Sequence, residues 1–255
     1  MSDNKKMSEA ALYDIFNINC VEDIEMYKKI CFGTIKVLEL GIGTGRIAIP
    51  LSKKGVNVCG IDNSVSMLKS LENKINADKI SGITFYKQDM RSLSLETSFE
   101  IILCPFCTFN FLLSLDDQEK TLLSVSKHMR KKSKIVFDLL TINTFQNTLQ
   151  DNNSLKYFSS YKCLDEDEII EIYTSNTFSQ HTQILSQERF FRKYDYSHTL
   201  VEEFHLNMKN RLFFLGEFQL LLDKCGYKIL NTYGNYKLGP FSQSSPNLIV
   251  VATLK

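Results

Sequence analysis

Val37-Leu38-Glu39-Leu40-Gly41-Ile42-Gly43-Thr44-Gly45-Arg46 decides the fold. An apolar run of strand character passes straight into glycines at alternate positions and then into the helical pattern RIAIPLSKKG (46–55). Downstream the alternation repeats. Strand-like VNVCGID (56–62), ITFYKQ (83–88), SFEIILC (98–104) and KIVFDLL (134–140) are separated by helical SVSMLKSLENKI (64–75) and DDQEKTLLSVSKHM (116–129). Together these predict five strands of a doubly wound, mostly parallel sheet in an α/β fold, with helices on both faces. Upstream, Ala11 to Phe32 reads as two short helices.

From about Leu155 to Met208 polar and apolar residues alternate, as in EIIEIYTSNTF, QILSQERFF and SHTLVEEFHLNM, which predicts antiparallel strands. LFFLGEFQLLLDKCGYKIL (212–230) then restores a helix ended by Gly226, followed by a strand, a turn-rich stretch and a last strand, NLIVVATL. The chain therefore returns to its first sheet. The expected organisation is one α/β domain (1–140 plus 209–255) interrupted by an antiparallel β insertion (141–208), too thin a core to stand alone.

Composition narrows the function. Thirty Lys and Arg against 29 Asp and Glu leave a net charge of +1, without the positive field that a nucleic-acid binder uses to collect phosphates. The longest uncharged apolar stretch, Ile101 to Leu115, is interrupted by Pro105 and Asn110 and is too short to span a bilayer, and the amino terminus shows no signal-peptide pattern. Seven cysteines, an odd number without framework spacing, fit reduced thiols and a cytoplasmic location.

Spaced glycines let the backbone turn sharply and approach a ligand, and the next helix aims its free N–H groups into the same crevice. A dinucleotide turn would place a third glycine or alanine three residues after Gly43, where this chain has Arg46, which argues against NAD. The second strand ends in Asp62, a carboxylate suited to a ribose diol or to capping the next helix. The third ends in Gln88-Asp89-Met90; Asp89 suits an adenine amine or an ordinary turn.

ELGIGTGR, the Asp62 strand end, the KQDM segment and the acid-depleted IILCPF strand end together resemble the class I S-adenosylmethionine-dependent methyltransferases, small-molecule type. The C-terminal run from Arg211 resembles the end of the same Rossmann-like methyltransferase fold, so the resemblance brackets the insertion and implies a seven-stranded sheet. It implies S-adenosylmethionine as cofactor, with Glu39, Gly41, Gly43 and Gly45 along its methionine and ribose part, Asp62 on the ribose hydroxyls, Asp89 at the adenine amine, and Met90, Asn63 and Met67 beside the ring. It places Cys104 and Phe106 near the sulfonium end, Tyr27 and Arg46 at the cofactor carboxylate, and Tyr13 and Arg211 in the acceptor pocket.

Methyl transfer from a sulfonium is an in-line displacement that needs alignment and no covalent nucleophile. No general base is named by the sequence. His198 and His205 would point to opposite faces of one regular strand; Glu202 is the polar intruder on the face of Leu200, Phe204, Leu206 and Met208. The Arg130–Lys134 run reads as a solvated turn, and Asp165–Glu168 as a hairpin connection. No metal is expected, since the strand-four loop reads Cys-Pro-Phe-Cys where metal-dependent members cluster acids; the same loop departs from the signature of nucleic-acid and glutamine methylation, which favours a small-molecule acceptor. The alternatives are a cofactor-binding sensor or partner subunit without catalysis, and a thiol redox protein built on Cys104 and Cys107, which requires a low-pKa thiol. The insertion's exposed strands offer edges for a homodimer.

Overall fold

The computed structural model describes residues 8–142, 154–162 and 168–255. Two helices open the chain, α1 (Glu9–Phe16) and α2 (Glu22–Ile30). There follow β1 (Lys36–Leu40), α3 (Ala48–Ser52), β2 (Asn57–Asp62), α4 (Val65–Asp78), β3 (Ile83–Lys87), β4 (Phe99–Cys104), α5 (Leu115–Ser126) and β5 (Met129–Leu139). The insertion carries β6 (Lys156–Lys162), β7 (Ile169–Ser179), β8 (Ile184–Tyr194) and β9 (Leu200–Arg211), and α6 (Leu215–Lys224), β10 (Tyr227–Tyr233) and β11 (Leu248–Leu254) close the chain.

The first sheet has seven strands in the order β3-β2-β1-β4-β5-β11-β10. Only β11 is reversed, antiparallel to both β5 and β10. β1 and β4, at the centre, are almost wholly buried, which is why they read as continuous apolar runs. One core packs α5 and α6 on one face through Leu122, Val125, Phe218 and Leu222; the other packs α2, α3 and α4 through Met26, Leu51 and Leu71. The chain winds outward from β1 to β3 and then returns to lay β4 on the other side of β1. The loops leaving β1 and β4 therefore diverge and open a crevice at the carboxyl end of the sheet, the usual ligand position in such folds.

The second sheet is antiparallel, in the order β6-β7-β8-β9, and β9 continues to Arg211, three residues past the boundary drawn from sequence. Its inner face carries Ile170, Ile172, Phe191, Phe204 and Leu206, packed on Leu12 and Phe16 of α1. The opposite side of α1 is tied to the turn after β1 and to α4: Asp14 accepts from Thr44 Oγ1 at 2.6 Å and from Lys74 Nζ at 2.6 Å. Helix α1 is thus a strut between the two sheets. Asn110, fully buried, fixes where the insertion leaves and rejoins: its Nδ2 donates to Leu140 O at 3.1 Å and to Arg211 O at 2.6 Å, and its Oδ1 accepts from Leu140 N.

The expected turn at Arg130–Lys134 is instead the irregular first half of β5. Its register to β4 shifts between Phe99 and Ile101, Lys132 adopts φ 80°, and the buried Ser133 hydroxyl donates to Phe99 O at 2.6 Å. The charges stay solvated because the bulge turns Arg130 to Lys132 outward. Asp165 to Asp167 of the expected hairpin connection lie outside the described residues; Glu168 pairs with Lys193. No helix among the described residues is long and apolar enough to cross a membrane.

Candidate cofactor and acceptor site

The turn after β1 is folded back onto β2. Gly41 N and Ile42 N both donate to Ile61 O, at 2.8 and 2.9 Å. Gly41, Gly43 and Gly45 all have positive φ, yet only one of them faces free space. A Cβ on Gly41 would meet Thr108 at 2.7 Å and one on Gly45 would meet Leu71 at 2.5 Å, whereas one on Gly43 finds nothing closer than Gly41 O at 3.9 Å. Gly43 therefore lines the crevice, and its two neighbours serve packing. A fourth glycine, Gly60, was not singled out from sequence. It lets Ile42 lie flat on β2, where a Cβ would stand 2.7 Å from Ile42 Cβ.

Asp62 holds this arrangement. Its Oδ2 accepts from Gly43 N at 2.9 Å and its Oδ1 from Ser64 N at 2.8 Å, while the N-cap of α4 is Ser64 itself. Ionised, a carboxylate offers about four acceptor directions, so about two remain for a ligand's hydroxyls. Gln88 N donates to Asp62 O at 3.1 Å, so the ends of β2 and β3 stand side by side. Asp89 is different: Arg91 approaches both its oxygens, with Nε at 3.0 and 3.1 Å and Nη2 at 2.6 Å, and reaches Asp117 with Nη1. With the Arg91 amide added at 2.9 Å, three N–H groups of Arg91 occupy the carboxylate expected to meet an adenine amine, and Arg91 lowers its pKa. Met67 and Met90 are half-buried and Asn63 is exposed around the same strand ends.

Beneath the turn, charge is buried and incompletely paired. Arg46, expected to reach an anion, gives Nη1 and Nη2 to Asp23 at 2.8 and 2.6 Å and Nη1 to Cys20 O, and its guanidinium lies 4.2 Å over the Phe106 ring. Its Nε is buried without a partner. So are Glu39 Oε2 at the end of β1 and the Tyr27 hydroxyl on α2. Burial pushes the Glu39 carboxyl well above its ordinary range despite Arg46. One orphaned acceptor and two orphaned donors complement the ammonium and carboxylate of an α-amino acid, the group at one end of S-adenosylmethionine.

Cys104 is fully buried, and Phe106 and Cys107 turn through positive φ beyond it. Burial pushes both thiols upward, the opposite of what a reactive dithiol needs, so the redox alternative lacks its required feature. The six described cysteines are free thiols. Tyr13 meets Phe106 edge-on at 6.4 Å. Arg211 is spent on Thr182 O and the Glu217 carboxylate, binding β9 to α6 rather than standing free for an acceptor. His198 sits in the turn before β9, not in the strand, and His205 is exposed and stacked on Phe190 at 4.3 Å. Glu202 is on the inner face, in register with Lys193.

Asp138, at the end of β5, was also missed. It is fully buried, accepts from the Tyr236 hydroxyl at 3.1 Å, and burial raises its pKa to about 7. An unfolded Asp titrates near 4, so between about pH 4 and 7 the unfolded chain releases a proton that the folded chain keeps. Stability of the free protein should therefore fall as pH rises through that window. Melting temperatures of Asp138→Asn across the same range should lack that part of the decline; an identical slope in the variant would assign it elsewhere.

Comparison with known proteins agrees with this fold. Residues 37–132 match the family model described as a methyltransferase domain. YqeM of Bacillus subtilis, a protein named as a methyltransferase, is 27% identical over 195 residues, covering 76% of this chain and 74% of its own. The crystal structure of an S-adenosylmethionine-dependent methyltransferase from Clostridium acetobutylicum has the same fold, with a TM-score of 0.79 at 20% identity over 96% of this chain and 97% of that one. The sugar N-methyltransferase KedS8 from Streptoalloteichus gives 0.74 at 14% identity over 95% and 92%.

Proposed function

We propose that the chain is a class I S-adenosylmethionine-dependent methyltransferase that methylates nitrogen or oxygen on a small molecule by direct in-line displacement; the methyltransferase-domain match over residues 37–132 and the shared fold support the reading. The observation that carries the reading is the orphaned set of Glu39 Oε2, Tyr27 hydroxyl and Arg46 Nε beneath an open glycine turn. When bound, S-adenosylmethionine supplies an electrophilic methyl carbon on a cationic sulfur. Glu39 holds the ammonium of its amino-acid end, and Tyr27 and Arg46 hold the carboxylate. Burial pushes the Glu39 and Asp138 carboxyls upward, and a cationic ligand in the crevice would favour their ionised forms. Asp62 takes the ribose hydroxyls, Gly43 leaves room for the sugar, and Met67, Met90 and Asn63 wall the adenine.

In this reading residues 1–140 and 209–255 bind the cofactor, and 141–208 roof the acceptor, with α1 and Tyr13 between them. Alignment of the nucleophile with the methyl carbon, at about 3–3.5 Å, supplies most of the acceleration. The acceptor attacks as a neutral amine or as a hydroxyl, since only a free lone pair can take the methyl group. Likeness to a sugar N-methyltransferase supports a small acceptor.

Calorimetric titration with S-adenosylhomocysteine tests the reading. Folded protein that does not bind it removes the proposal, and binding without turnover on any acceptor leaves a cofactor sensor. Asp62→Ala should weaken that binding by about 1–3 kcal/mol, the scale of a lost charge-assisted hydrogen bond. An unchanged Kd would reduce Asp62 to a brace for the turn.

A further inference from the structure

Arg189 lies midway along β8 on the inner face, in register with Thr174 and Leu206 and flanked along the strand by the buried Gln187 and Phe191. Its guanidinium carbon stands 3.7 Å over the Phe16 ring, and its Nε is buried without a partner. Three other cations of this sheet are matched differently: Arg192 to Glu203, Lys193 to Glu168, Arg211 to Glu217. Among the described residues Arg189 forms no ion pair. Burial lowers its pKa to about 10, and the groups that act on it are Tyr13, Cys107 and Cys20, none of them a carboxylate. An uncompensated cation in an apolar face is a cost that folding does not explain.

Those same groups locate it. Cys107 and Phe106 form the turn at the end of β4 and Tyr13 meets Phe106 edge-on, while Phe16, under the Arg189 guanidinium, follows Tyr13 by three residues on α1, so α1 links Arg189 to that turn. Arg46 is already neutralised by Asp23 and offers only Nε, which leaves Arg189 as the unspent guanidinium fork on this side. We infer that Arg189 anchors an anionic group, carboxylate or phosphate, on the methyl acceptor. This rests on the methyl-transfer reading above and deepens it by naming the acceptor's charge.

The test uses the full chain saturated with S-adenosylhomocysteine and titrated with acetate, acetamide and inorganic phosphate, followed by calorimetry or chemical-shift changes. At least one anion should bind, and acetamide, the uncharged match for acetate, should bind at least about tenfold more weakly than acetate where the anion is a carboxylate. Acetate preferred over phosphate identifies a carboxylate acceptor, and the reverse a phosphate one. Arg189→Gln should lose at least about tenfold in anion affinity while S-adenosylhomocysteine affinity stays within about twofold. Arg189→Lys should lose several-fold, because an ammonium cannot present the two parallel N–H groups. Neither anion binding to the wild-type complex, or Arg189→Gln keeping its anion affinity, overturns the inference. Should Arg189→Gln fail to fold, Arg189→Lys decides, and unchanged anion affinity there overturns it. A wild-type chain that binds no S-adenosylhomocysteine sinks the methyl-transfer reading and this inference with it; one that binds it but neither anion sinks this inference alone.

Discussion

Glu39→Gln should stabilise the free protein and cripple its cofactor binding in the same stroke. Glu39 is 2% exposed, its Oε2 has no partner, and burial lifts its pKa well above the carboxylate range. A raised folded-state pKa means that stability is fullest below the unfolded value and is lost as pH climbs toward the folded one. At pH 8 the wild-type chain therefore carries either a buried proton or a buried charge that the unfolded chain does not. Glutamine keeps the shape and removes that burden, for a gain of about 0.5–2 kcal/mol. At about 2–4 °C per kcal/mol for a chain of this size, the melting temperature should rise by several degrees. The same substitution removes the carboxyl's charge and turns one of its oxygens into an NH2 donor where the cofactor's ammonium is proposed to lie, so S-adenosylhomocysteine affinity should fall by about 10- to 100-fold. Thermal melts and calorimetry read the two effects separately. A variant that melts lower and binds as well as wild type would make Glu39 a structural acid.

What could be read from the chain beforehand was set by the range of the interactions. β1 and β4 announce themselves because central parallel strands are apolar without interruption, and the turn after β1 because glycines at 41, 43 and 45 sit at the end of such a strand. Arg46–Asp23, Asp14–Lys74 and the double bond from Asn110 to Leu140 and Arg211 leave no local trace, since their partners are 23 to 101 residues apart. Other features were written locally and passed over. Arg91 stands two residues after Asp89, close enough to take its carboxylate. Asp195, whose Oδ1 accepts from Ser197 N and Thr199 N, marks a turn that removes His198 from the strand. Gly60 in the middle of β2 signals close approach of a neighbouring residue, here the Ile42 side chain. Arg189 was legible as an inward position by alternation; that it lacks a partner is visible only once the sheets are together.

The two glycines most unlike in surroundings should separate folding from binding. Gly43→Val places a β-branched residue at φ 55°, a strain of about 1–2 kcal/mol, but its Cβ meets no neighbour within 3.9 Å, so the chain should still fold. Its methyl groups then occupy the crevice where the sugar is proposed to lie. Since a bulky group cannot be displaced without unfolding the turn, S-adenosylhomocysteine affinity should fall beyond about 100-fold, more than any single lost hydrogen bond would cause. Gly60→Ala reverses the pattern. Its Cβ would press on Ile42, which is 2% exposed and has nowhere to go, so the turn must lift from β2 and loosen both amide bonds to Ile61 O. Overpacking of that kind costs about 1–3 kcal/mol, read as a lower melting temperature. Binding should weaken less than in Gly43→Val, because the crevice itself stays open. If Gly43→Val binds S-adenosylhomocysteine like the wild-type chain, the space above Gly43 does not hold the cofactor. The orphaned groups beneath it would then need another ligand.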